Sequence, residues 1–429
     1  MIEFQFKSYH FDMAVSAATF KYAVDNQYFF EEKITFEQAR KFEELPETSQ
    51  QAFFRALENL FIAVGISYYK AFIPEKIKFE AEVVQLTPDE ANFWNTFYTQ
   101  GLAEFAYQNK LELQGKINFP VTPNLTKTAQ TLTLSETVLV PVGGGKDSNV
   151  TIEALRAKNI HMLLFAVRSL KVINNCMRVA NLPSIIIGRT ISPELIRLNN
   201  DGVTLNGHVP ITGIISFIAV ATAILNGLSA VVLSNERSAD EANVDLANHQ
   251  WSKSFEAEQL IATHIKRYIV SNLDYFSFLR PYSELFIANQ FAKLPQYHNV
   301  FTSCNKAFMI DSNRRAEYWC ANCDKCRFVF LALAVFMSKA QLLEIFKVNL
   351  LDQADQEQGY RELLGLSGHK PFECVGEIDE SRAALCELAK KAEWQNDLLV
   401  KKLITEIGEY DYRAWLTPSE QHLIPKRFL

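Results

Sequence analysis

The stretch VLVPVGGGKDSNV, residues 138–150, places three consecutive glycines between a β-branched run and a helical pattern. Glycine lets another group approach the main chain, and successive amides at a helix start bind anions. Lys146 adds a positive charge and Ser148 adds a hydroxyl donor. Asp147 suits this place if a metal ion such as Mg²⁺ bridges it to the anion. The predicted phosphate-binding residues are Gly143, Gly144, Gly145, Lys146, Asp147 and Ser148.

The glycine loop departs from two common phosphate-binding motifs. It is not a Walker A loop, because Asp147 follows the lysine and no glycine lies five residues before Gly145. The dinucleotide pattern GxGxxG fails at its last position, which is Ser148. A tight strand–helix turn without a ligand is the alternative, and three glycines followed by Lys-Asp-Ser argue against it.

Four cysteines form a second cluster, with the spacing C-x15-C-x2-C-x2-C. Four thiolates at this spacing in a reducing compartment suit a tetrahedral zinc ion. An iron–sulfur cluster is one alternative. Thiols that simply pack at the start of the helix CRFVFLALAVF are the other. The predicted metal ligands are Cys304, Cys320, Cys323 and Cys326.

Other polar residues follow predicted strands. The stretch LSNERSADEANV places Glu236 and Arg237 just after an apolar run, and Arg168 follows the run LLFAV. In parallel α/β sheets, ligands bind at the carboxyl ends of the strands. The two-pronged guanidinium of Arg237 suits a carboxylate or a phosphate, so we expect it in the site. A solvated helix start is the alternative interpretation of the same stretch.

Two further stretches carry candidate acids and bases. NGHVPIT contains His208, and HKPFECVGE, residues 369–377, gathers His, Lys, Cys and two Glu between predicted helices. A capping or packing role for His208 and a surface loop around a buried Cys374 are the alternatives. The candidates for proton transfer are Cys374, Glu373, Glu236 and His208.

The elements around these residues follow an α/β pattern. The first ~40 residues alternate apolar and polar residues, which predicts a small antiparallel sheet, and a helix is predicted over 47–71. Beyond the linker NFPVTPNLTKTAQTLTLSE, short apolar runs alternate with helical stretches, which predicts a doubly wound parallel sheet. The predicted parts are an N-terminal α+β domain (1–128), a nucleotide-binding domain with the four cysteines (129–338) and a mainly helical C-terminal region (339–429).

Composition narrows the class of protein. The chain has 429 residues, 48% hydrophobic and 21% charged, as in ordinary soluble proteins. A net charge of −6 does not favour a nucleic-acid partner. The charged start MIEFQFKSYHFD and the seven cysteines predict a cytoplasmic protein. The apolar segment 211–233 is split by Asn226-Gly227, so it predicts a buried helix and a buried strand rather than a membrane span.

The stretch GGGKDS after a strand resembles the PP-loop of the ATP pyrophosphatase superfamily, whose pattern is S-G-G-x-D-S; Gly143 replaces the first serine. This resemblance covers residues 137–335 and implies the PP-loop fold. It also implies ATP and Mg²⁺, cleavage of ATP to AMP and pyrophosphate, and a loop that holds the pyrophosphate. The four cysteines resemble those of the 7-cyano-7-deazaguanine synthases, where they bind a structural zinc ion.

Together with LSNERSA, CANCDKCRFVFLALA, KPFECVGE and the aromatic N-terminal part, the loop resembles the MurL-type epimerases. The resemblance implies an ATP-dependent isomerase that inverts the terminal L-Glu of UDP-N-acetylmuramoyl-L-Ala-L-Glu through an acyl-adenylate, for peptidoglycan synthesis. Lys146 would then stabilise the leaving pyrophosphate, Asp147 would hold Mg²⁺, and Arg237 or Arg168 would orient an anion. Another PP-loop enzyme, 7-cyano-7-deazaguanine synthase-like or tRNA-modifying, and a non-catalytic nucleotide sensor are the alternatives.

Overall fold

Nine strands form one sheet in the computed structural model, which describes residues 2–80, 83–241, 248, 250–309, 315–368 and 370–429. The order across the sheet is β4-β1-β2-β3-β7-β6-β5-β8-β9. The strands are β1 Glu3–Asp12, β2 Ala17–Val24, β3 Tyr28–Thr35, β4 Lys76–Phe79, β5 Val138–Pro141, β6 Met162–Val167, β7 Ser184–Thr190, β8 Ala230–Leu233 and β9 Asp274–Ser277.

Helices connect the strands, and in the described part of the C-terminal region, residues 339–429, α-helices and 3-10 helices are the regular secondary structure, as predicted. The helices in the described part of the chain are α1 Glu47–Tyr69, α2 Pro88–Gly101, α3 Ala103–Gln108, α4 Lys146–Ala157, α5 Lys171–Ala180, α6 Pro193–Asn200, α7 Ile211–Asn226, α8 Phe255–Tyr268, α9 Glu284–Ala292, α10 Asp324–Ala334, α11 Lys339–Phe346, α12 Glu357–Leu363, α13 Ile378–Lys390 and α14 Leu398–Leu403.

The strands β7-β6-β5-β8-β9 are parallel, and helices cover both of their faces. Successive residues of a strand enter different cores: Leu139 packs with α1, α2, α7 and α8, whereas Val138 and Val140 pack with α4, α5, α9 and α10. The alternation follows from the period of two in a strand. The predicted α/β class with a doubly wound parallel sheet is therefore confirmed.

The first three strands form the predicted antiparallel sheet, and β3 then continues it into the parallel strands by pairing with β7. At this junction a Cβ on Gly188 would lie 2.0 Å from Oγ1 of Thr35, so any other residue there would force the Thr35 side chain to move. The sheet thus crosses the predicted boundary at 128/129. The three predicted domain ranges themselves stay predictions.

The apolar segment 211–233 forms α7 and β8, as predicted. Helix α7 is buried because α1 packs along it and the sheet covers its other side. In the parts of the chain that the structure describes, no helix has both the length and the apolar character to cross a bilayer. Helix α2 begins after the N-cap Thr87, with a capping box formed between Thr87 and Glu90 and Pro88 in the first turn.

A buried ion pair joins β3 to β7. Nε of Arg189 lies 2.6 Å from Oε1 of Glu32, and the two side chains are 6% and 0% exposed. The hydroxyl of Tyr68 donates to Oε2 of the same carboxylate over 2.7 Å. Burial opposes the charge on Arg189, but Glu32 outweighs it and raises the pKa of the guanidinium. The pair therefore holds the N-terminal strands to the parallel sheet.

Glu32→Gln should lower the free energy of unfolding by about 3 kcal/mol or more, because the Arg189 guanidinium would stay buried without a charged partner. Glu31→Gln is the matched control: Glu31 is exposed and should cost no more than about 0.5 kcal/mol. Urea unfolding of both variants measures the difference. Equal losses would contradict a stabilising role for the buried pair.

Candidate active site

The glycine loop lies where the strand order reverses, between β5 and β8. Gly145, with φ −84° and ψ 177°, is the N-cap of α4, so the helix begins at Lys146. Gly144 has φ +83°, and a Cβ there would meet Val172 at 2.7 Å. A Cβ on Gly143 would meet nothing within 4 Å, so the main chain is open there. The loop and the first turn of α4 form a cradle suited to an anion.

Lys146 lies buried among carboxylates. Its ammonium group contacts Asp147 and also Glu284, the first residue of α9. Carboxylate oxygens of Asp147, Glu236 and Glu284 all lie within 4.8 Å of one another. Burial opposes the charge on Lys146, but Asp147 and Glu284 outweigh it and raise its pKa. Burial also raises the pKa of Glu236 and of Glu284.

The cluster has three carboxylates, against the ammonium group of Lys146 and that of Lys253, which lies within electrostatic range of Glu236. A divalent cation prefers oxygen ligands and would relieve the excess negative charge, so these residues suit Mg²⁺. The sequence predicted Asp147 for this role and Glu236 as a candidate base. Glu284 was missed, because the four-residue strand β9 that leads to α9 was not recognised.

A cavity of about 980 Å³ opens beside the loop at the carboxyl ends of β5, β6 and β7. Its volume is in the range of sites for nucleotide-sized ligands. Its walls are largely apolar, with Phe165, Val167 and Ile191 among them. Of the residues that the sequence singled out, those that line the cavity are Gly143, Gly145, Asp147, Ser148, Arg168 and His208.

Arg237 is placed differently, because it does not line this cavity. Its guanidinium lies 5.4 Å from the ring centroid of Trp415 and 3.8 Å from the carboxylate of Glu377. Both partners belong to the C-terminal region. Its predicted role in orienting a substrate anion stays a prediction, and these contacts show which parts of the chain meet beside Glu236.

The loop 370–377 reaches from the C-terminal region to several other parts of the chain; His369, named with it above, lies outside the described residues. Its contacts are Phe372 with Tyr107, Lys370 with Glu241, Glu373 with Asn305, Glu377 with Arg237 and Cys374 with Lys253. The loop therefore lies over the ends of β8 and α3 and is not a detached surface loop. Lys253 had no sequence signal; it is the last residue of the short 3-10 helix Trp251–Lys253 that precedes α8.

The four cysteines come together at the start of α10. All are free thiols, and their four sulfurs lie within 4.8 Å of one another. Three of the sulfur–sulfur distances are 3.4, 3.8 and 3.9 Å. A regular tetrahedron with Zn–S bonds of about 2.3 Å has edges of about 3.8 Å. The arrangement therefore has the dimensions of a tetrahedral metal site.

Helix α13 of the C-terminal region fixes the start of α9. Glu380 is fully buried, and its carboxylate accepts the amide N–H of Leu285 over 2.6 Å. The same carboxylate accepts the N–H of Glu377 in a capping box. Burial raises the pKa of Glu380 to about 7. Because Leu285 follows Glu284, this contact helps to hold Glu284 beside Lys146.

Comparison with protein families gives two matches that together span most of the chain. The family described as the MurL N-terminal domain matches residues 1–278. The family described as the MurL C-terminal domain matches residues 300–415. The glycine loop, Glu236 and Lys253 lie in the first match, and the four cysteines and loop 370–377 lie in the second.

Curated relatives are similar over most of the chain. One from Xanthomonas oryzae pv. oryzae is 44% identical over 82% of this chain and 78% of its own length. One from Salinispora tropica is 40% identical over 100% of this chain and 95% of its own length. One from Micromonospora sp. is 40% identical over 99% of this chain and 96% of its own length. All three are named UDP-N-acetyl-α-D-muramoyl-L-alanyl-L-glutamate epimerase.

Glu380→Gln should change how stability depends on pH. The pKa of Glu380 is raised from about 4.5 to about 7, so its contribution to stability is fully present below about 4.5 and is lost as the pH rises through 7. Between pH 5 and 8 the unmodified chain should lose up to about 3 kcal/mol relative to the variant. Urea unfolding at several pH values measures this, with the exposed Asp379→Asn as control. A pH-independent difference would contradict it.

Proposed function

This chain belongs to the MurL family of epimerases and is an isomerase, and we propose that it inverts the terminal L-Glu of UDP-N-acetylmuramoyl-L-Ala-L-Glu to D-Glu. The reaction consumes ATP, passes through an acyl-adenylate and releases AMP and pyrophosphate. Its product serves peptidoglycan synthesis in the cytoplasm. The names of the relatives support the substrate, and the glycine loop beside three carboxylates is the single observation that carries the ATP-dependent part.

The PP-loop fold is part of the proposal. The parallel strands have the order β7-β6-β5-β8-β9, and the glycine loop follows β5, the first of them along the chain. In such sheets a ligand binds where the strand order reverses. The loop, the first turn of α4 and the cavity all lie at that point, which supports a nucleotide with its phosphates on the loop and its adenosine in the apolar cavity.

Activation by ATP makes the α-proton of the glutamyl group easier to remove. Removing the α-proton beside a free carboxylate would produce an enolate with an additional negative charge. Adenylation converts that carboxylate into a mixed anhydride, and the α-proton then becomes much more acidic. A base removes the proton from one face, and the other face is protonated before water releases AMP and the free acid.

The residues of the loop have separate roles in adenylation. The amides of Gly143, Gly144 and Gly145, with Ser148, bind the pyrophosphate as it leaves. Lys146 supplies a positive charge fixed in place by its carboxylate neighbours, so no reorganisation is needed when negative charge develops. Asp147, Glu236 and Glu284 would hold Mg²⁺, which neutralises phosphate charge when bound. Arg168 in the cavity wall orients a substrate anion.

We also propose that Cys304, Cys320, Cys323 and Cys326 hold a structural zinc ion. The convergence of four free thiols at tetrahedral distances supports this. Cys304 and Cys326 are buried, so the ion would have little access to solvent. Lys325, within the cluster's sequence, lines the cavity, so the metal site would stabilise one of its walls.

The proposed reaction is tested with UDP-N-acetylmuramoyl-L-Ala-L-Glu, ATP and Mg²⁺ in deuterated water. We expect AMP, pyrophosphate and D-Glu that carries deuterium at the α-carbon. Lys146→Ala and Asp147→Ala should each reduce AMP release by at least about 100-fold, because the fixed charges at the phosphates are lost. Lys158→Ala, on the exposed far end of α4, is the control. AMP release at the normal rate by the two loop variants would refute the loop assignment.

Metal analysis tests the zinc proposal. The purified chain should contain about one zinc ion, and Cys323→Ser should lose most of it because tetrahedral structural sites need all four ligands. The variant should also unfold at a lower temperature. Cys386→Ser, which changes a buried thiol of α13 outside the cluster, should keep its zinc. Iron in place of zinc, or unchanged zinc in Cys323→Ser, would contradict the proposal.

A further inference from the structure

Lys253 and Cys374 form a contact that adenylation does not use. Nζ of Lys253 donates to Sγ of Cys374 over 3.1 Å, although the residues are 121 positions apart. Loop 370–377 carries the thiol from the C-terminal region, and Lys253 lies in the segment between β8 and α8. The contact therefore depends on the packing of two distant segments beside the site.

A buried arginine holds Lys253 next to Glu236. Arg280 is 1% exposed and is paired with Glu258 at 2.9 Å. Its guanidinium donates to the main-chain oxygen of Glu236 over 2.7 Å and to that of Lys253. The guanidinium of Arg280 is rigid and donates to both carbonyl oxygens, so it fixes the main chain at Glu236 and at Lys253.

The charge in direct contact with Cys374, that of Lys253, favours a thiolate. Burial opposes the charge on Lys253, but Cys374 and Glu236 outweigh it and raise the pKa of the ammonium group, so it stays charged. A positive charge in contact with a cysteine stabilises its thiolate, and the thiolate is the basic form. The thiol also lies within electrostatic range of Glu236, because its charge contributes to raising the pKa of that carboxyl.

We propose that Cys374 is the catalytic residue that exchanges the α-proton on one face of the acyl-adenylate, and that Lys253 is its positioning residue. This inference rests on the proposed function. Glu236 belongs both to the carboxylate cluster around Lys146 and to the surroundings of Lys253, so it connects the phosphate site with the thiol. The activated glutamyl group, attached to the α-phosphate next to the departing pyrophosphate, extends from the first towards the second.

The proposed step is balanced without a redox partner. The thiolate of Cys374 takes the α-proton, an S–H bond forms, and the electron pair of the broken C–H bond moves into the activated carbonyl. The opposite face of the resulting enolate takes a proton that comes from water, and the thiol returns its own proton to water. The ammonium group of Lys253 stays protonated throughout and balances the thiolate charge.

The experiment separates adenylation from proton transfer. Cys374→Ser is incubated with UDP-N-acetylmuramoyl-L-Ala-L-Glu, ATP and Mg²⁺ in deuterated water. Deuterium incorporation and D-Glu formation should fall roughly 100-fold, while AMP release stays within about threefold because water still hydrolyses the acyl-adenylate. Cys386→Ser, the same change at a thiol that donates to the carbonyl of Gly408, should behave as the unmodified enzyme.

A second pair of variants tests the inference even if Cys374→Ser does not fold. Lys253→Met should reduce deuterium incorporation with AMP release retained, and Lys253→Arg should restore most of the incorporation by keeping a positive charge at the thiol. Normal incorporation by Cys374→Ser, equal loss of both activities in a folded variant, or no difference between the two Lys253 variants would overturn the inference. An unmodified enzyme that forms neither AMP nor D-Glu would instead overturn the proposed function.

Discussion

The structure around the site depends on one electrostatic constraint, the burial of Lys146 among three carboxylates. An isolated buried charge is very costly, and a buried ion pair is tolerated only with close geometry. Lys146 meets this condition through Asp147 and Glu284, but the cluster still carries excess negative charge when all its groups are ionised. Burial, and in addition the charge of Asp147, raises the pKa of Glu236 and of Glu284. The cluster is therefore organised for an additional cation.

Three distant parts of the chain must meet to satisfy that constraint. The loop after β5 provides Lys146, the end of β8 provides Glu236, and the start of α9 provides Glu284. Parallel pairing brings the carboxyl ends of β5, β8 and β9 to one edge of the sheet. The C-terminal region then fixes α9 through Glu380. Strand pairing sets the approximate positions of these three residues, and buried hydrogen bonds fix their final geometry.

The sequence predicted what depends on local spacing and missed what depends on long-range packing. The glycine loop, the cysteine cluster and the split apolar segment were recognisable, because each is encoded within a short stretch. The join between β3 and β7 was not, because it depends on a register in which Gly188 faces Thr35. Lys253 was missed for the same reason, since its partner lies 121 residues away. Cys374 was named as a candidate from its loop, but its partner was not.

Lys146 and Lys253 differ in what they stabilise. Lys146 contacts carboxylates, which are weak bases, and it lies at the glycine loop, the proposed phosphate site, where a fixed positive charge would lower the cost of developing negative charge. Lys253 contacts a thiol, whose conjugate base is considerably stronger than a carboxylate. A reaction that first activates an acid and then removes a proton needs both kinds of site. The charges of both lysines act on Glu236, so in the proposed reaction the base would lie close to the activated group.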